Sequence, residues 1–429
     1  MSKSQERVVV LGGGAGGLEL ACHLTGKEGI SVTLVDANGS HVWKPRLHEF
    51  AAGTVDSTLS EMSFYMLAAM RGFTFEQGRV ISIDRQARTV RLAAVRSQHG
   101  SIEGPERDVE YDRLVVALGG VTPDFGTEGV ADHAVRLDDK SDADDFRDLF
   151  IAAILRARQN GEPAKVSIVG SGATGTELAA HLRVSERGFI NQAVLESHQR
   201  LLDITILEAA PEIMPGASDQ LRKAVLDRLS ALNIDTRADA KIAAVEKNAV
   251  VAADGERWPT DITVWAAGLV GNPCLEGLCD FDMDSKHRIS VDTKLRTTVD
   301  ERIYALGDAA SFKPAPDAAP LPPTAQCASQ QATYLAKAIP KAIDGATPDD
   351  FKYNDQGRLL SLARGGSVGS ISPFRSKNDI LVHGQFAQAA YHSIQRRHQW
   401  SVLGYLRGTV AIFADSISPA KGPALKLHG

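Results

Sequence analysis

Four cysteines in 429 residues leave little room for sulfur chemistry. Cys22, Cys274, Cys279 and Cys327 are too few and too scattered for a disulfide framework. No C-x-x-C occurs, so neither a thioredoxin-type dithiol nor a zinc knuckle is indicated, and no metal site is expected. Cys274 and Cys279 share a C-x4-C spacing in "GNPCLEGLCD", where two small loop or core residues are the better reading. The chain also lacks an uninterrupted apolar run of about 18 residues, so no transmembrane helix is expected. Its opening, "MSKSQERVVVLGGG", passes from polar side chains straight into a glycine turn, unlike a signal peptide. The net charge of −6 argues against nucleic acid as a partner. A reduced, cytoplasmic setting fits these absences.

What is present is one pattern, twice. Residues 8–22 read "VVVLGGGAGGLELAC" and residues 166–180 read "VSIVGSGATGTELAA". Each begins as a short β-branched run, the mark of a buried parallel strand. Gly12, Gly14 and Gly17 then make G-x-G-x-x-G, as do Gly170, Gly172 and Gly175. The first glycine permits a tight turn, the second lets backbone approach a pyrophosphate, and the third lets helix and strand pack closely. The following helix turns its N-terminal N–H groups toward phosphate. A second strand ends in an acid suited to a ribose hydroxyl, Asp36 in "SVTLVD" and Glu208 in "ITILE". First glycine to acid is 24 residues in one unit and 38 in the other, which places an insertion within "RVSERGFINQAVLESHQR". Late apolar strands, "RLVVALGG" and "ITVWAAGL", complete the duplication.

The fold class is therefore α/β, with two Rossmann-like dinucleotide-binding domains in the manner of a two-dinucleotide flavoprotein, plus a C-terminal amphipathic helical segment. Two sites imply two dinucleotides, most simply FAD and NADH. "ERIYALGDAAS" (301–311) puts Asp308 after an apolar strand, where a carboxylate suits flavin ribitol hydroxyls. The expected division is an FAD domain of residues 1–122 and 290–345, an inserted NADH domain of 160–270, and a membrane-docking segment of 346–429.

The chain resembles the type II NADH:quinone oxidoreductases, single-chain flavoproteins that do not pump protons, and is closest to their proteobacterial respiratory branch. "LGGGAGGLELA", "HVWKPRLHEFAAGTVD" (41–56), "YDRLVVALGG", "GSGATGTELAA", "IYALGDAA" and "PPTAQCASQQATYLAKAI" (322–339) carry the resemblance. "WKPRLHEFAAG" and "AQCASQQ" are its most specific parts. It implies hydride transfer from NADH to FAD and electron transfer onward to a membrane quinone. It implies that Asp308 contacts FAD and that "AQCASQQ" lies against the isoalloxazine, with Gln326 and Gln330 as quinone-side candidates. Their plainer role, four apart on a helix, is to satisfy backbone groups. Lys44 would sit beside the flavin, where a cation stabilises the reduced ring, or would be a solvated lysine. Glu177 is marked as the acid at the nicotinamide–flavin–quinone junction. Glu19 holds the same place in the first unit, seven residues after its first glycine, and is read as structure favoured by the helix dipole. Gly16, Val80, Gly119 and Ala325 are further expected FAD contacts, and Gly268 a further NADH contact.

Other flavoproteins of this type use sulfur. Disulfide reductases carry C-x4-C in the helix after the first strand, where this chain has only Cys22. Sulfide:quinone reductases need cysteines flanking the flavin, and Cys327 has no evident partner. Ferredoxin-type reductases and a non-turnover NADH sensor complete the alternatives.

The charge is uneven. From Gln356 onward there are nine Lys and Arg against two acids. Within 383–414, Phe386, Ala390, Ile394, Val402, Leu406, Val410 and Phe413 recur at spacings near four, broken at His398. Trp400 and Tyr405 suit a headgroup zone, and Arg396, Arg397 and Arg407 suit anionic lipid. The expectation is one or two amphipathic helices lying on a membrane, peripherally, at the cytoplasmic face of the inner membrane. Packing on the protein's own core is the alternative, and a homodimer through this region is compatible with either.

Overall fold

The computed structural model describes residues 5–55, 61–96, 100–192, 200–363, 366–371 and 380–417. Its frame is two parallel sheets. In chain order the strands are β1 (Glu6–Leu11), β2 (Ile30–Asp36), β3 (Thr74–Gln77), β4 (Arg113–Val116) and β5 (Ala134–Val135). They continue with β6 (Ala164–Val169), β7 (Leu202–Leu207), β8 (Ile234–Arg237), β9 (Ile262–Trp265) and β10 (Ile303–Ala305). The first sheet runs β10–β4–β1–β2–β3 and the second β5–β9–β6–β7–β8. All neighbours in both are parallel.

The two orders are the same. In each, the strand that enters the glycine turn is central, the acid-bearing strand lies on one side, and the late strand lies on the other. Each borrows its edge strand from outside the repeat, β10 for the first sheet and β5 for the second. The chain reverses direction across the sheet at the glycine-turn strand, the place where such folds leave a crevice. Burial on both faces explains the unbroken apolar runs: Val8, Val9, Val10 and Leu11 are all buried, as are Val166, Ile168 and Val169. Each unit also carries a three-stranded antiparallel sheet, one over Val80–Asp84, Thr89–Leu92 and Arg107–Glu110, the other over Ile242–Glu246, Ala249–Ala252 and Arg257–Pro259.

Seven helices position the site: α1 (Ala15–Leu24), α2 (Leu47–Ala51), α3 (Lys140–Asn160), α4 (Ala173–Gln192), α5 (Ala325–Ile343), α6 (Gly384–Leu403) and α7 (Tyr405–Ile417). The extra spacing of the second unit lengthens its glycine-motif helix: α1 has 10 residues and α4 has 20. Residues 193–199, also within the expected insertion, lie outside the described residues. Helix α2 is buried along its whole length. Its Leu47 and Phe50 pack with Phe146, Phe150 and Leu178 of α3 and α4, a burial worth about 1.5–3 kcal/mol for each side chain. Residues 41–55, whose His41 bonds Gly13 of the first unit, thereby pack against the second.

The C-terminal region divides. Arg358–Leu360, Val368–Ile371 and Ile380–His383 form a small antiparallel sheet. Helix α6 then packs on the first unit, with Val402 in the same apolar core as Leu20 and Leu24. Gly404 ends it, and α7 presents Tyr405, Leu406, Val410 and Phe413 to the outside. The fourfold apolar series thus serves two surfaces. Val402 turns inward, while Phe386, Ile394 and Trp400 face out beside the α7 set.

Candidate functional site

The glycine turns repeat down to their steric detail. Gly12 has φ +102° and Gly170 φ +107°, a backbone that disfavours any side chain. A Cβ on Gly12 would lie 2.3 Å from the Ala117 carbonyl oxygen, and one on Gly170 2.6 Å from that of Ala266. Each first glycine is thus crowded by the end of its late strand. A Cβ on Gly17 would lie 1.9 Å from the Gly12 oxygen, and one on Gly175 2.1 Å from the Gly170 oxygen. Gly14 and Gly172 are different: a Cβ on either would meet nothing within 4 Å. Fold packing accounts for the first and third glycines, and the second leaves the space a pyrophosphate needs. Gly16 belongs with the packing glycines, since its Cβ would strike Leu306 and Ala328.

The acids close the turns. Asp36 accepts the Gly13 N–H at 2.7 Å, and burial raises its carboxyl. Glu208 accepts the Ser171 N–H at 2.9 Å and the Ser171 hydroxyl at 2.6 Å. Both carboxylates sit beside their glycine turns, as ribose recognition requires. Val80 is buried in the first unit's core. Gly119, at φ +72°, has open space at its Cβ position, and Gly268, at φ +77°, abuts Phe125.

Where the units meet, Gly120 pairs with Gly271 across a two-residue ladder. The Lys44 ammonium donates to the Gly120 carbonyl at 2.9 Å. Asp308 lies against the same glycine. Its carboxyl is raised by burial, opposed by Lys44 and Arg288, and makes no hydrogen bond to protein among the described residues. The open positions at Gly14 and Gly119 and this unspent carboxylate fit a resident dinucleotide with a polyol arm.

Glu177 lies in a buried cluster that joins α2, α4 and the C-terminal region. It accepts the Ser361 N–H at 2.7 Å and faces His48 Nδ1 at 3.6 Å. Burial pushes its carboxyl well above the ordinary range; the Ser361 N–H opposes this and the charge of Glu49 adds to it. Arg46 donates to Glu49 at 2.8 Å, and its guanidinium also reaches Gln395 of α6 at 3.2 Å. His181 bonds Thr54 at 2.9 Å and Ser361 at 3.2 Å. His48, Glu49 and His181 have ligand-type atoms within 4.8 Å of one another. The Arg46 cation on Glu49 takes up the carboxylate a metal would need.

Gln326 and Gln330 serve backbone. Gln326 accepts the Gln356 N–H at 3.2 Å and donates to the Tyr353 hydroxyl at 3.0 Å. Gln330 accepts the Asn354 N–H at 2.9 Å and donates to its carbonyl at 2.8 Å. Together they fasten residues 353–356 over the start of α5, whose first residue is Ala325 and whose N-cap is Thr324. They also wall a cavity of about 240 Å3 with Ala325, Ser329, Trp43 and Ile394.

Two residues on or beside this cavity, His41 and His398, carry no local signal, and that of Glu19 points to structure alone. Glu19 and His398 line it, and His41 lies behind them. Only a contact between residues 19, 41 and 398 reveals them, and no local periodicity encodes that contact. The thiols are inert by comparison: burial pushes Cys22 and Cys327 each to about 12, and all four cysteines are free.

Two of the buried histidines make a stability prediction. Burial lowers His41 and His48 from 6.5 to about 3. Between those values the unfolded chain holds protons that the folded protein does not, so stability falls as pH drops below 6.5. Glu177 works in the opposite sense above 4.5, since the folded protein keeps a proton the unfolded chain releases. His41→Asn keeps a donor for the Gly13 carbonyl but cannot titrate. Potentiometric titration of folded against unfolded protein near pH ~5 should show the proton difference reduced by about one, equivalent to about 1.4 kcal/mol per pH unit. An unchanged difference would mean that His41 is charged in the folded protein.

Residues 6–332 match the pyridine nucleotide-disulphide oxidoreductase family. The type II NADH:quinone oxidoreductase of Haemophilus influenzae is 34% identical over 99% of this chain and 100% of its own length. The chain belongs to the type II NADH:quinone oxidoreductases. Among solved structures, NDH2 from Plasmodium falciparum in complex with NADH is similar with a TM-score of 0.80 at 16% identity, covering 96% of this chain and 99% of that one. The sulfide:quinone oxidoreductase of Aquifex aeolicus follows with a TM-score of 0.74 at 19% identity, covering 97% and 96%. The second likeness is one of fold. The sulfur chemistry in that protein's name has no counterpart in the buried thiols described above, and the type II family assignment takes precedence.

Proposed function

We propose that this chain carries two electrons from NADH to a quinone, with FAD resident in the first glycine unit and NADH visiting the second. The activity and its two cofactors follow from membership of the type II family. The assignment of units is supported by the return of the chain: β10 and α5 complete the first sheet and its helical cover and bring Asp308 to the ligand end. The chemistry the flavin supplies when bound is two-electron transfer between nicotinamide and quinone. The protein binds, orients and excludes water. Gly14 and Gly172 admit the pyrophosphates, Asp36 and Glu208 take ribose hydroxyls, and Lys44 places a cation beside Asp308. The N–H groups at the starts of α1 and α4 face the phosphates.

One observation carries the quinone side. The cavity walled by Ser329, Gln326 and Gln330 is also walled by Ile394, and Ile394 lies on the outer apolar face of α6. Ile394 thus joins that face to the cavity wall, the side from which a lipophilic acceptor would enter. Phe386, Trp400, Tyr405, Leu406, Val410 and Phe413, with Arg397 and Arg407 among them, suit insertion into an anionic leaflet. Among the described residues no helix is long and apolar enough to cross a membrane. We accordingly place the protein peripherally on the cytoplasmic face of the inner membrane, with a second copy on the same surface as the competing occupant.

Glu177 is the residue we assign to the junction. Replacing it with Gln keeps the shape and the Ser361 bond but removes the ionisable carboxyl from the junction. The Glu177→Gln variant should retain its FAD, which the other unit holds, and turn over about 100-fold more slowly. Steady-state kinetics with flavin content as control checks this. A variant that loses flavin yet turns over normally on added FAD places Glu177 wrongly.

A further inference from the structure

The proton count of the proposed reaction leaves one proton to be supplied. NADH gives up a hydride, which is two electrons and one proton, whereas a quinol has gained two electrons and two protons. Each turnover, NADH + H⁺ + quinone → NAD⁺ + quinol, therefore draws one proton from the medium. Glu177 stands in the cluster between α2 and α4 and is not among the cavity walls. A different carboxyl is.

Glu19 and His398 line the cavity, and both are only 2% exposed. The Ser329 hydroxyl is 2.6 Å from Glu19 Oε2, and His398 Nδ1 is 2.7 Å from Oε1. His398 Nε2 is 3.1 Å from His41 Nε2, and His41 Nδ1 is 2.8 Å from the Gly13 carbonyl oxygen. The Trp43 ring covers His398 with centroids 4.3 Å apart.

The hydrogens on this line can be assigned from its far end. A carbonyl oxygen only accepts, so His41 donates from Nδ1. Burial, and the neighbouring His398, keep His41 neutral with its pKa lowered to about 3. Its Nε2 is therefore a bare acceptor, and His398 must donate from its own Nε2. One position remains open, between His398 Nδ1 and Glu19 Oε1. A single proton fills it, on either atom, and the pair has the same net charge both ways.

Several elements pack around the pair. On α1, Cys22 is a thiol raised by burial to about 12, and burial lowers the His23 imidazole, which is paired with Ser401 at 2.8 Å. Arg71 donates to the Cys22 carbonyl at 3.1 Å. Helix α5 faces Glu19 with the uncharged Ser329, and α6 adds Arg397 at the cavity wall. The 41–43 segment contributes His41 and Trp43.

We propose that the proton shared by Glu19 and His398 is the one that quinone reduction draws, passed to a quinone oxygen through Ser329. The carboxyl turns so that the proton held on the His398 side faces Ser329, and the Ser329 O–H turns to the quinone oxygen; the Glu19 O–H bond then breaks as Ser329 takes that proton and gives its own to the quinone. The electron pair and the other proton originate in NADH. After the quinol leaves, water in the cavity restores the proton to Glu19. The inference rests on the quinone-reductase reading, and it makes Ser329 a catalytic residue, Glu19 the proton source behind it, and His41 a positioning residue that fixes the tautomer of His398.

A purely structural role, in which Glu19 latches α6 onto α1, is the rival account. The test uses FAD-loaded holoenzyme, wild type and the variants Glu19→Gln, Glu19→Asp and Ser329→Ala, matched for flavin content. The ratio of short-chain quinone reduction to ferricyanide reduction is measured, because ferricyanide takes electrons without protons. Glu19→Gln should lower that ratio at least about tenfold, Ser329→Ala should lower it less, and Glu19→Asp should restore most of it. Independently of turnover, nitrogen NMR of histidine-labelled holoenzyme, assigned with His398→Asn, should show His41 protonated on Nδ1 and His398 on Nε2. The His398 Nδ1 signal should shift in Glu19→Gln. An unchanged ratio in Glu19→Gln, or a His398 with a bare Nε2, overturns the proposal. A wild-type protein that reduces ferricyanide but no quinone overturns the quinone reading and the proposal together, whereas a wild type that reduces quinone beside an equally active Glu19→Gln overturns the proposal alone.

Discussion

Gly14→Ala should fold and lose its flavin, while Gly172→Ala should stay yellow and lose its grip on NADH. Both positions have room for a methyl group in the protein itself, since nothing lies within 4 Å of either Cβ position. The added methyl projects only into the space assigned to a pyrophosphate. Overpacking a close contact costs about 1–3 kcal/mol, so affinity should fall about 10- to 100-fold at the substituted site. Gly17→Ala is the contrasting control. Its methyl would lie 1.9 Å from the Gly12 oxygen, so that variant should be destabilised whether or not a ligand is present. Flavin absorbance after gel filtration and the NADH Michaelis constant distinguish the three. If Gly172→Ala loses the flavin and Gly14→Ala keeps it, the two units are assigned in the wrong order.

The second large effect concerns the C-terminus. A chain ending after Gly404 removes α7 with Tyr405 and Leu406, which are 83% and 81% exposed, as well as Val410 and Phe413. It keeps Val402 in the first unit's core and His398 on Glu19. Ending the chain near residue 372 would instead strip that core, and loss of activity would then report misfolding. The truncation at 404 should hold its flavin and reduce short-chain quinone normally. Four apolar side chains give up about 1 kcal/mol or more each on leaving a bilayer, so binding to anionic vesicles should weaken at least about 100-fold. High salt should weaken full-length binding only in part, because Arg397 and Arg407 supply the screened component and apolar burial the rest. A truncated, flavin-loaded protein that binds vesicles as tightly as the full chain would show that α7 meets a second subunit or nothing at all.

The nucleotide units were legible because their physics is local. A tight turn, a close helix and an acid at the next strand end all fall within about 40 residues, and the same crowding by Ala117 and Ala266 recurs in both. Gln326 and Gln330 were half legible. Their spacing puts them on one face, but only the folded chain shows that face holding 353–356. The tail was misleading in one respect. Apolar spacing near four runs on across Gly404, where the helix ends, so Val402 and Leu406 look equivalent in sequence and point to different environments. Glu19 shows the limit most clearly. It and Glu177 occupy the same place in a duplicated motif, and both are buried. One meets His398 and Ser329, the other His48 and Ser361. These partners lie far off in sequence, and no periodicity could have announced them.

Two electrons pass from NADH to a quinone within this one chain. Anaerobic mixing of the yellow protein with NADH and a short-chain quinone, followed at 340 nm and by quinol analysis, tests it most directly. One quinol should form for each NADH consumed, and NADPH should be slower by about 100-fold or more, because Glu208 accepts a ribose hydroxyl and repels a 2′-phosphate. Rapid NADH oxidation with no quinol formed, or NADPH used as readily as NADH, would contradict the account.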